Sequence, residues 1–322
     1  MVFFLTISGR TDKINATGDV LILKKGSVFI FLAAVMWGAA GIFVKRLGTY
    51  GISPMTVVVF RGIFTVLPIG IFMLLRSRSG FKIRRKDIYL FAANGLFSIV
   101  TFNFCYYKAM ALSTLSVAAV LLYTAPIFVM LISLLFFKEK ISLKKIVALI
   151  LAFSGCAFVS GVFGSAVRLS SAALCYGLLT GLGYALYTIF SNRLILRGYG
   201  TMTIIFYTFV FASAGSLIMV GANGQMTELA FNPSVWLWAF LMGMFNTVLP
   251  YILYTVGLKT VSASTAPIIA TVEPVAATVV GLFYGEKLTL YGVIGITLVL
   301  SSVLILNIKG GEKSDNQSIC EN

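Results

Sequence analysis

Two stretches of one pattern decide the fold of this chain: TAPIFVMLISLLFFKEK at residues 124–140 and VEPVAATVVGLFYGEK at residues 272–287. Each has a proline near its start, continues through mostly apolar residues and ends in Glu-Lys. The glutamates follow their prolines after 13 and 12 residues, and the second stretch lies 147 to 148 positions after the first. This correspondence predicts that the chain carries two copies of one unit.

Matches elsewhere in the chain keep the same offset. FVKRL at 43–47 aligns with FSNRL at 190–194 at an offset of 147, and Gly95 aligns with Gly243 at 148. A near-constant offset over a proline, a glycine and a Glu-Lys pair favours duplication over chance similarity of apolar segments. We therefore expect four regions: an N-terminal tail at 1–26, a first repeat at 27–163, a second repeat at 170–308 and a C-terminal tail at 309–322.

Composition places the chain in a membrane. Of its 322 residues, 59% are hydrophobic and 11% are charged, whereas a soluble domain carries about 25% charged residues. A spanning helix needs about 20 mostly apolar residues. Ten stretches approach or reach that length: 27–44, 55–75, 88–107, 117–137, 146–162, 172–190, 202–220, 235–256, 265–284 and 290–308. They are apolar on all sides, without the strict alternation of a membrane β-barrel, so we expect an all-α integral membrane protein.

Basic residues collect on alternate linkers. The linker after the second span, at 76–87, holds six Lys and Arg residues, whereas its counterpart after the seventh span, at 221–234, holds none. The positive-inside rule then places the basic linkers and both termini in the cytoplasm. Because each repeat has five spans, an odd number, the two repeats would be inverted with respect to each other around a central cavity.

The residues present exclude several kinds of chemistry. The sequence has no histidine, its four aspartates lie outside or at the edge of the spans, and it has no phosphate-binding GxxxxGK[ST] loop. The four cysteines form no metal-binding or disulfide pattern. We therefore expect no catalytic residues, metal or cofactor. Because the net charge of +15 follows the linkers, nucleic acid is not expected as a partner either.

Arg61 and Glu273 are ionisable residues well inside predicted spans. A charge at the centre of a membrane helix costs about 2.5–3.5 kcal/mol on insertion scales, so such residues usually face a protein interior or a wet cavity. For Glu273 the alternative is a structural buried pair; Arg61, about two turns into its helix, has the alternative of reaching the outer interface. We expect Glu273 to couple binding to conformational change, with Arg61 as its candidate partner.

Pro126 and Pro274 occupy equivalent positions in the fourth and ninth spans. Proline removes a helical hydrogen bond, which a membrane tolerates where neighbours or a cavity satisfy the freed carbonyl. Paired breaks therefore point to a central cavity, with a simple packing kink as the alternative. Polar and aromatic residues at span centres are the other candidates for its lining: Trp37, Asn94, Asn103, Tyr107, Tyr123, Tyr184, Tyr187, Asn246 and Tyr251.

The chain resembles the EamA family of the drug/metabolite transporter superfamily over residues 27–308. The resemblance is carried by Trp37-Gly38 with Lys45, Pro54 followed by Arg61, YTAP at 123–126 leading to Glu139, and VEPV at 272–275 leading to Gly285-Glu286. It implies ten helices in two five-helix bundles around a substrate cavity and, usually, efflux of metabolites or amino acids. Many members carry the Glu-Pro pair of the ninth span; the fourth span has Ala125 in the place of the glutamate.

We accordingly expect a secondary active transporter in the cytoplasmic membrane, exporting amino acids or related small metabolites by alternating access. Its expected partners are a small-molecule substrate, the lipid bilayer and protons as candidate coupling ions, with a monomer or a homodimer as the assembly. Two alternatives stay open: a metabolite importer with the same fold, and a membrane sensor or assembly protein that transports nothing. A lipid-modifying enzyme is disfavoured because the sequence lacks the residue clusters that such chemistry uses.

Overall fold

A computed structural model describes residues 25–76, 78–137, 139, 141–162, 170–285 and 288–307. These residues form ten long helices and no strand, which confirms the expected all-α fold. The helices are α1 (Lys25–Gly48), α2 (Pro54–Arg76), α3 (Arg85–Leu112), α4 (Leu115–Phe136), α5 (Leu143–Val159), α6 (Ser171–Leu196), α7 (Thr201–Ala222), α8 (Pro233–Gly257), α9 (Ala266–Phe283) and α10 (Leu290–Asn307).

Nine of these ten helices in the described part of the chain are long and apolar enough to cross a membrane. The tenth, α5, has 17 residues and begins three residues before the expected start at Ile146. Ser142 caps it, since its side chain accepts a hydrogen bond from the backbone N–H of Lys145. The predicted tails fall outside the described residues, apart from Lys25 and Gly26, as does the Glu286-Lys287 pair.

A helix of each repeat breaks at the proline that occupies the equivalent position in the two repeats. α4 consists of Leu115–Leu122 and Ala125–Phe136, and α9 of Ala266–Ala270 and Glu273–Phe283. Pro126 and Pro274 lie in the first turn of the second segment. Proline is tolerated there because its missing N–H would have no helical partner. The prolines therefore begin new helical segments, at the paired breaks that the sequence predicted.

α3 and α8 share a second irregularity. A stretch of π-helix runs over Asn94–Val100 in α3 and over Gly243–Val248 in α8. The two stretches start one position apart when the repeats are aligned at an offset of 148. Such wider turns are rare and occur frequently at functional sites. α1 also divides, into Lys25–Gly38 and Ala40–Gly48, whereas its counterpart α6 is continuous.

The packing of the ten helices is symmetrical under exchange of the repeats. α5 packs on α10 and α2 on α7, each helix on its own counterpart. α3 packs on α6 as α8 packs on α1, and α4 packs on α6 as α9 packs on α1. α1 and α6, the first helices of the two repeats, therefore each pack against helices of the other repeat. This packing brings residues from both halves to the centre of the molecule.

The α5–α10 contact depends on two facing glycines. A Cβ atom added to Gly155 would lie 2.8 Å from the carbonyl oxygen of Gly295, and one added to Gly295 would lie 2.6 Å from that of Gly155. Without side chains at these positions the two backbones approach closely, as small residues allow in membrane proteins. This contact fixes the last helix of each repeat against the other.

Candidate functional site

An aromatic cluster occupies the centre of the molecule, where α1, α6 and α8 meet. The Trp37 ring lies 6.2 Å from Tyr184, 5.3 Å from Tyr251 and 5.3 Å from Tyr254, measured between ring centroids. Tyr187 packs edge-on against Tyr251 at 4.9 Å. The Trp37–Tyr254 pair is tilted and the other three pairs are edge-to-face, a favoured arrangement of aromatic rings at these distances, so the rings hold one another in place.

The cluster surrounds a small cavity of about 10 Å³. This is about the room that one water molecule needs. A small-molecule site usually measures about 300–1,000 Å³, so the helices are packed in a closed arrangement. The cavity is lined by Trp37, Ser98, Ile99, Phe102, Tyr184, Tyr187, Thr188, Tyr251 and Tyr254.

Two of the tyrosine hydroxyls bind threonines of the facing helix. Tyr187 of α6 shares a hydrogen bond of 2.9 Å with Thr255 of α8, and Tyr254 of α8 shares one of 2.7 Å with Thr188 of α6. These reciprocal bonds join helices of the same repeat and satisfy hydroxyls that are buried away from water. They fix the ring orientations on one side of the cavity.

Arg61 points inward from α2. Its Nε donates to Thr247 Oγ1 at 2.9 Å, and Thr247 belongs to the π-helical stretch of α8. The guanidinium also interacts electrostatically with Tyr107 and Tyr251. Arg61 is therefore held between helices of both repeats, at the edge of the aromatic cluster. Its side chain does not extend to the outer interface, the alternative that the sequence left open.

Glu273 begins the second segment of α9, at the break in that helix. Its carboxylate interacts electrostatically with Arg61 and lies near Tyr106, Tyr123 and Tyr184. Within the described ranges no ion pair or hydrogen bond joins the Glu273 carboxylate to another side chain. Arg61 and Glu273 are therefore opposite charges that interact electrostatically, and no ion pair joins them in the described part of the chain.

The break in α1 is held beside this pair. Asn246 donates from Nδ2 to the carbonyl oxygen of Met36 at 2.7 Å, and the same nitrogen lies 3.5 Å from that of Trp37. Gly38 approaches α9 so closely that an added Cβ would lie 2.6 Å from the Glu273 carbonyl oxygen. The irregular parts of α1, α8 and α9 thus meet at one place.

The other asparagines named from the sequence lie elsewhere. Asn94 donates from Nδ2 to Ser191 Oγ at 3.2 Å and to Thr208 Oγ1 at 2.8 Å, which joins α3 to α6 and α7. Asn103 donates to the carbonyl oxygen of Ile99 within its own helix at 2.7 Å. Neither residue lines the central cavity. Substrate contact by any of the named residues stays a prediction, including that of the buried prolines 126 and 274.

Sequence reasoning missed several residues of the site. Tyr254 is fully buried in the cluster and lies three positions after Tyr251, so helical spacing places both rings on one face and offered a pattern that would have found it. Thr247, which holds Arg61, has no such pattern, because single threonines are common in apolar helices. Ser98, Ile99, Phe102, Tyr106 and Thr188 were missed as well.

No group of three or more His, Cys, Asp or Glu side chains that could hold a metal ion occurs among the described residues. The site instead combines one cation, one carboxylate and a set of aromatic rings. These groups can bind opposite charges and apolar or cationic surfaces.

Comparison with known proteins agrees with this architecture. A family model described as the EamA-like transporter family matches residues 24–161 and again residues 171–308. This chain belongs to that family. The resemblance drawn from the sequence is thereby confirmed, and this EamA-like protein is a multi-pass membrane transporter.

Relatives of similar length carry the same broad description. An uncharacterized transporter of Archaeoglobus fulgidus is 31% identical over 291 residues, covering 88% of this chain and 96% of its own. The uncharacterized inner membrane transporter YicL of Salmonella typhimurium is 24% identical over 291 residues, with the same coverage. A solved crystal structure with 15% identity superposes at a TM-score of 0.74, covering 87% of this EamA-like chain and 96% of its own, and it shows the fold alone.

Proposed function

We propose that this EamA-like protein is a secondary active transporter that exports small zwitterionic metabolites, such as amino acids, across the cytoplasmic membrane. One observation carries the proposal: Arg61 of the first repeat and Glu273 of the second interact electrostatically without forming an ion pair, and each also interacts with a tyrosine of the aromatic cluster. A zwitterion offers a carboxylate to the guanidinium and an ammonium group to the carboxylate. Each charge would then gain a partner that the protein itself does not supply.

The aromatic cluster would bind the rest of the substrate. Trp37 packs against Tyr184 and Tyr251, the tyrosines with which Glu273 and Arg61 interact, and aromatic faces bind both apolar groups and cations. Since the cavity of about 10 Å³ is too small for an amino acid, binding requires the helices around it to move apart. Motion of one repeat against the other around a central site is the alternating-access mechanism.

The energy for transport would come from a gradient. The sequence has no phosphate-binding GxxxxGK[ST] loop, so we propose proton exchange at Glu273, or the substrate gradient itself, as the source. An importer would use the same site in the opposite direction, and a sensor would bind the same ligand without moving it. Flux measurements separate these alternatives.

The proposal is tested by flux in proteoliposomes. Efflux of a labelled zwitterionic amino acid is compared with that of two analogues, the amine that lacks the carboxylate and the acid that lacks the ammonium group. We expect the parent protein to move the zwitterion at least tenfold faster than either analogue. Imposed pH gradients of opposite sign, in vesicles of determined orientation, then give the preferred direction.

Two arginine variants test whether Arg61 binds the carboxylate of the substrate. Arg61→Gln should lose the preference for the zwitterion over the amine, whereas Arg78→Gln should keep it, because Arg78 is exposed and donates to the backbone of Leu74 at 3.3 Å. Equal selectivity in the parent and in Arg61→Gln would contradict the proposed site. Binding without flux in any vesicle orientation would favour a sensor.

A further inference from the structure

A second cavity lies at the start of α3, beside the end of α6. It measures about 300 Å³ and is lined by Arg84, Lys86, Asp87, Tyr89 and Arg197. Three of these five side chains are cationic and one is anionic, so the cavity carries excess positive charge. Its charged lining shares no residue with the cavity of the aromatic cluster. The transport proposal gives this second cavity no role.

Asp87 holds the two arginines of this cavity. Its side chain is fully buried and accepts from Arg84 Nε at 2.8 Å, from Arg197 Nη1 and from the Tyr199 hydroxyl at 2.7 Å. Arg84 also donates from Nη2 to the carbonyl oxygen of Arg197 at 3.0 Å. These bonds fix the guanidinium groups in position, so part of the ordering that ligand binding would require is already present in the protein.

Lys86 supplies a cation that the protein does not use. It is exposed, and in the described part of the chain no hydrogen bond or ion pair engages its ammonium group. The site therefore combines two fixed guanidinium groups with one exposed ammonium group. Such groups bind the oxygens of phosphate, the guanidinium by its planar donors and the ammonium as a point charge.

Exposed apolar side chains lie beside the cavity. Ile88, which follows the cavity residue Asp87, and Tyr89, which lines the cavity, are 41% and 59% exposed, and Leu196, next to Arg197 at the end of α6, is 44% exposed. Exposed tyrosines mark the boundary between membrane and water. The basic linker that contains Arg84 and Lys86 is the one that the positive-inside rule assigns to the cytoplasm.

We propose that this cavity binds a phosphate group, and the exposed apolar surface beside it favours the phosphate of an anionic phospholipid. Basic pockets between transmembrane helices on the cytoplasmic side are suited to such head groups. The proposed ligand bridges α3 and α6, which belong to different repeats, so the lipid would contact both halves of the protein. The inference does not depend on the transported substrate.

The test distinguishes lipid binding in the cavity from a general attraction of anionic lipid to the positively charged linker. Purified protein in neutral detergent is titrated with phosphatidylglycerol or phosphatidylcholine, and retained lipid is counted by native mass spectrometry. We expect the anionic lipid to bind at least fivefold more tightly. Lys86→Gln should weaken that binding at least fivefold, and Lys86→Arg should restore it. Lys82→Gln, the same charge change in the same linker but outside the cavity, should weaken it less than twofold.

Equal losses in Lys86→Gln and Lys82→Gln, or equal binding of the two lipids, would overturn the site. Inorganic phosphate in excess distinguishes the source, since displacement of the lipid at comparable concentrations would assign the cavity to soluble phosphate and contradict the lipid. The arginines are left intact because removing either would deprive the buried Asp87 of a partner. Equal melting temperatures of the variants show that any loss of binding does not come from unfolding.

Discussion

At the scale of single residues, the molecule places its charges in two different ways. Asp87 and Glu139 are paired: Glu139 Oε1 accepts from Lys145 Nζ at 2.9 Å and from the Ser264 hydroxyl. Glu273, in contrast, has Arg61 as an electrostatic neighbour without an ion pair. Paired charges hold linkers and helix ends together, whereas a separated pair at the centre suits a substrate that carries both charges.

The first prediction concerns Glu273→Gln, which keeps the shape of the side chain and removes its charge. Transport should fall at least tenfold, because the substrate ammonium loses its partner, and any dependence of flux on pH should flatten because the side chain no longer exchanges a proton. The measurement is flux against pH at equal amounts of protein in the membrane. Glu273→Asp, which retains a carboxylate, should keep a pH dependence. A Gln variant with the rate and pH profile of the parent would make Glu273 structural.

A second prediction concerns Glu139, which lies in the linker between α4 and α5. Burial by itself would raise the pKa of its carboxyl, but hydrogen bonds from Ser264 and Lys145 outweigh burial and hold the pKa below its ordinary value of 4.5. A carboxyl with a lowered pKa in the folded state stabilises the protein above its unfolded pKa. That stabilisation is lost as the pH falls below about 4.5 and through the lowered value.

Glu139→Gln should therefore destabilise the protein by about 1–3 kcal/mol near neutral pH, because Lys145 loses this carboxylate. Thermal unfolding in detergent should show a lower melting temperature, and the difference from the parent should shrink in acid. The double variant Glu139→Gln, Lys145→Met should recover part of the loss, as expected for coupled residues. A Glu139→Gln protein as stable as the parent at pH 7 would contradict the structural role of this pair.

At the scale of helices, the irregular segments determine where the site forms. The break in α1, the π-helical stretch of α8 and the break in α9 come together through Asn246 and through the contact of Gly38 with α9. Regular helices would direct their side chains with a uniform period. Interrupted ones expose backbone groups and turn side chains such as Trp37 and Glu273 toward the centre. Irregular backbone at membrane depth is tolerated where it is buried in protein or lines a cavity.

The third prediction tests the contact of Gly38 with α9 by comparing alanine substitutions at two glycines of α1, Gly38 and Gly41. A Cβ atom on Gly38 would lie 2.6 Å from both Ala276 Cβ and the Glu273 carbonyl oxygen, whereas one on Gly41 would meet nothing within 4 Å. Gly38→Ala should therefore separate α1 from α9, cost about 1–3 kcal/mol and reduce transport several-fold.

Gly41→Ala should be neutral or stabilise α1 by up to about 1 kcal/mol, because alanine favours helix. Melting temperature and flux, measured for both variants at equal abundance, check the pair. If Gly38→Ala and Gly41→Ala behave alike, the close approach of α1 and α9 is not needed for activity.

At the scale of the whole molecule, contacts at the two ends of α2 are related by exchange of the repeats. At its start, the backbone N–H of Ser53 donates to Glu228 Oε2 at 2.7 Å, which joins the α1–α2 and α7–α8 linkers. At its other end, Tyr199 of the α6–α7 linker binds Asp87 beyond the α2–α3 linker. α2 has 23 residues, which is about 34 Å of helix. The two contacts therefore lie at opposite ends of the helix bundle. Alternating access would break them in turn.

The fourth prediction fixes the orientation. Lys82→Cys and Asn223→Cys place single exposed thiols in the linkers after α2 and α7, in a background without the four native cysteines. A membrane-impermeant maleimide should label Asn223→Cys in intact cells and Lys82→Cys after the membrane is opened. Labelling of both from one side would contradict the inverted repeats and the topology of ten spans.

Much of this protein is determined by its sequence alone. Ten helices can be predicted because the length and apolarity of a spanning segment depend on the bilayer and require no knowledge of partners. The duplication is visible in the offset of Pro126 and Pro274. Glu273 and Arg61 stand out because charges are rare in such segments.

Tertiary structure decided which polar residues meet. Asn94 and Asn246 both lie in apolar helices, yet Asn94 joins three helices away from the cavity while Asn246 holds the break in α1. In a membrane any polar side chain seeks a partner, so its presence does not say which partner it finds. The π-helical stretches and helix breaks also rotate the following residues out of the regular 3.6-residue period. Spacing in the chain therefore indicated that Tyr251 and Tyr254 share a face, but only the packing of the helices decided that this face and Glu273 are directed toward the centre.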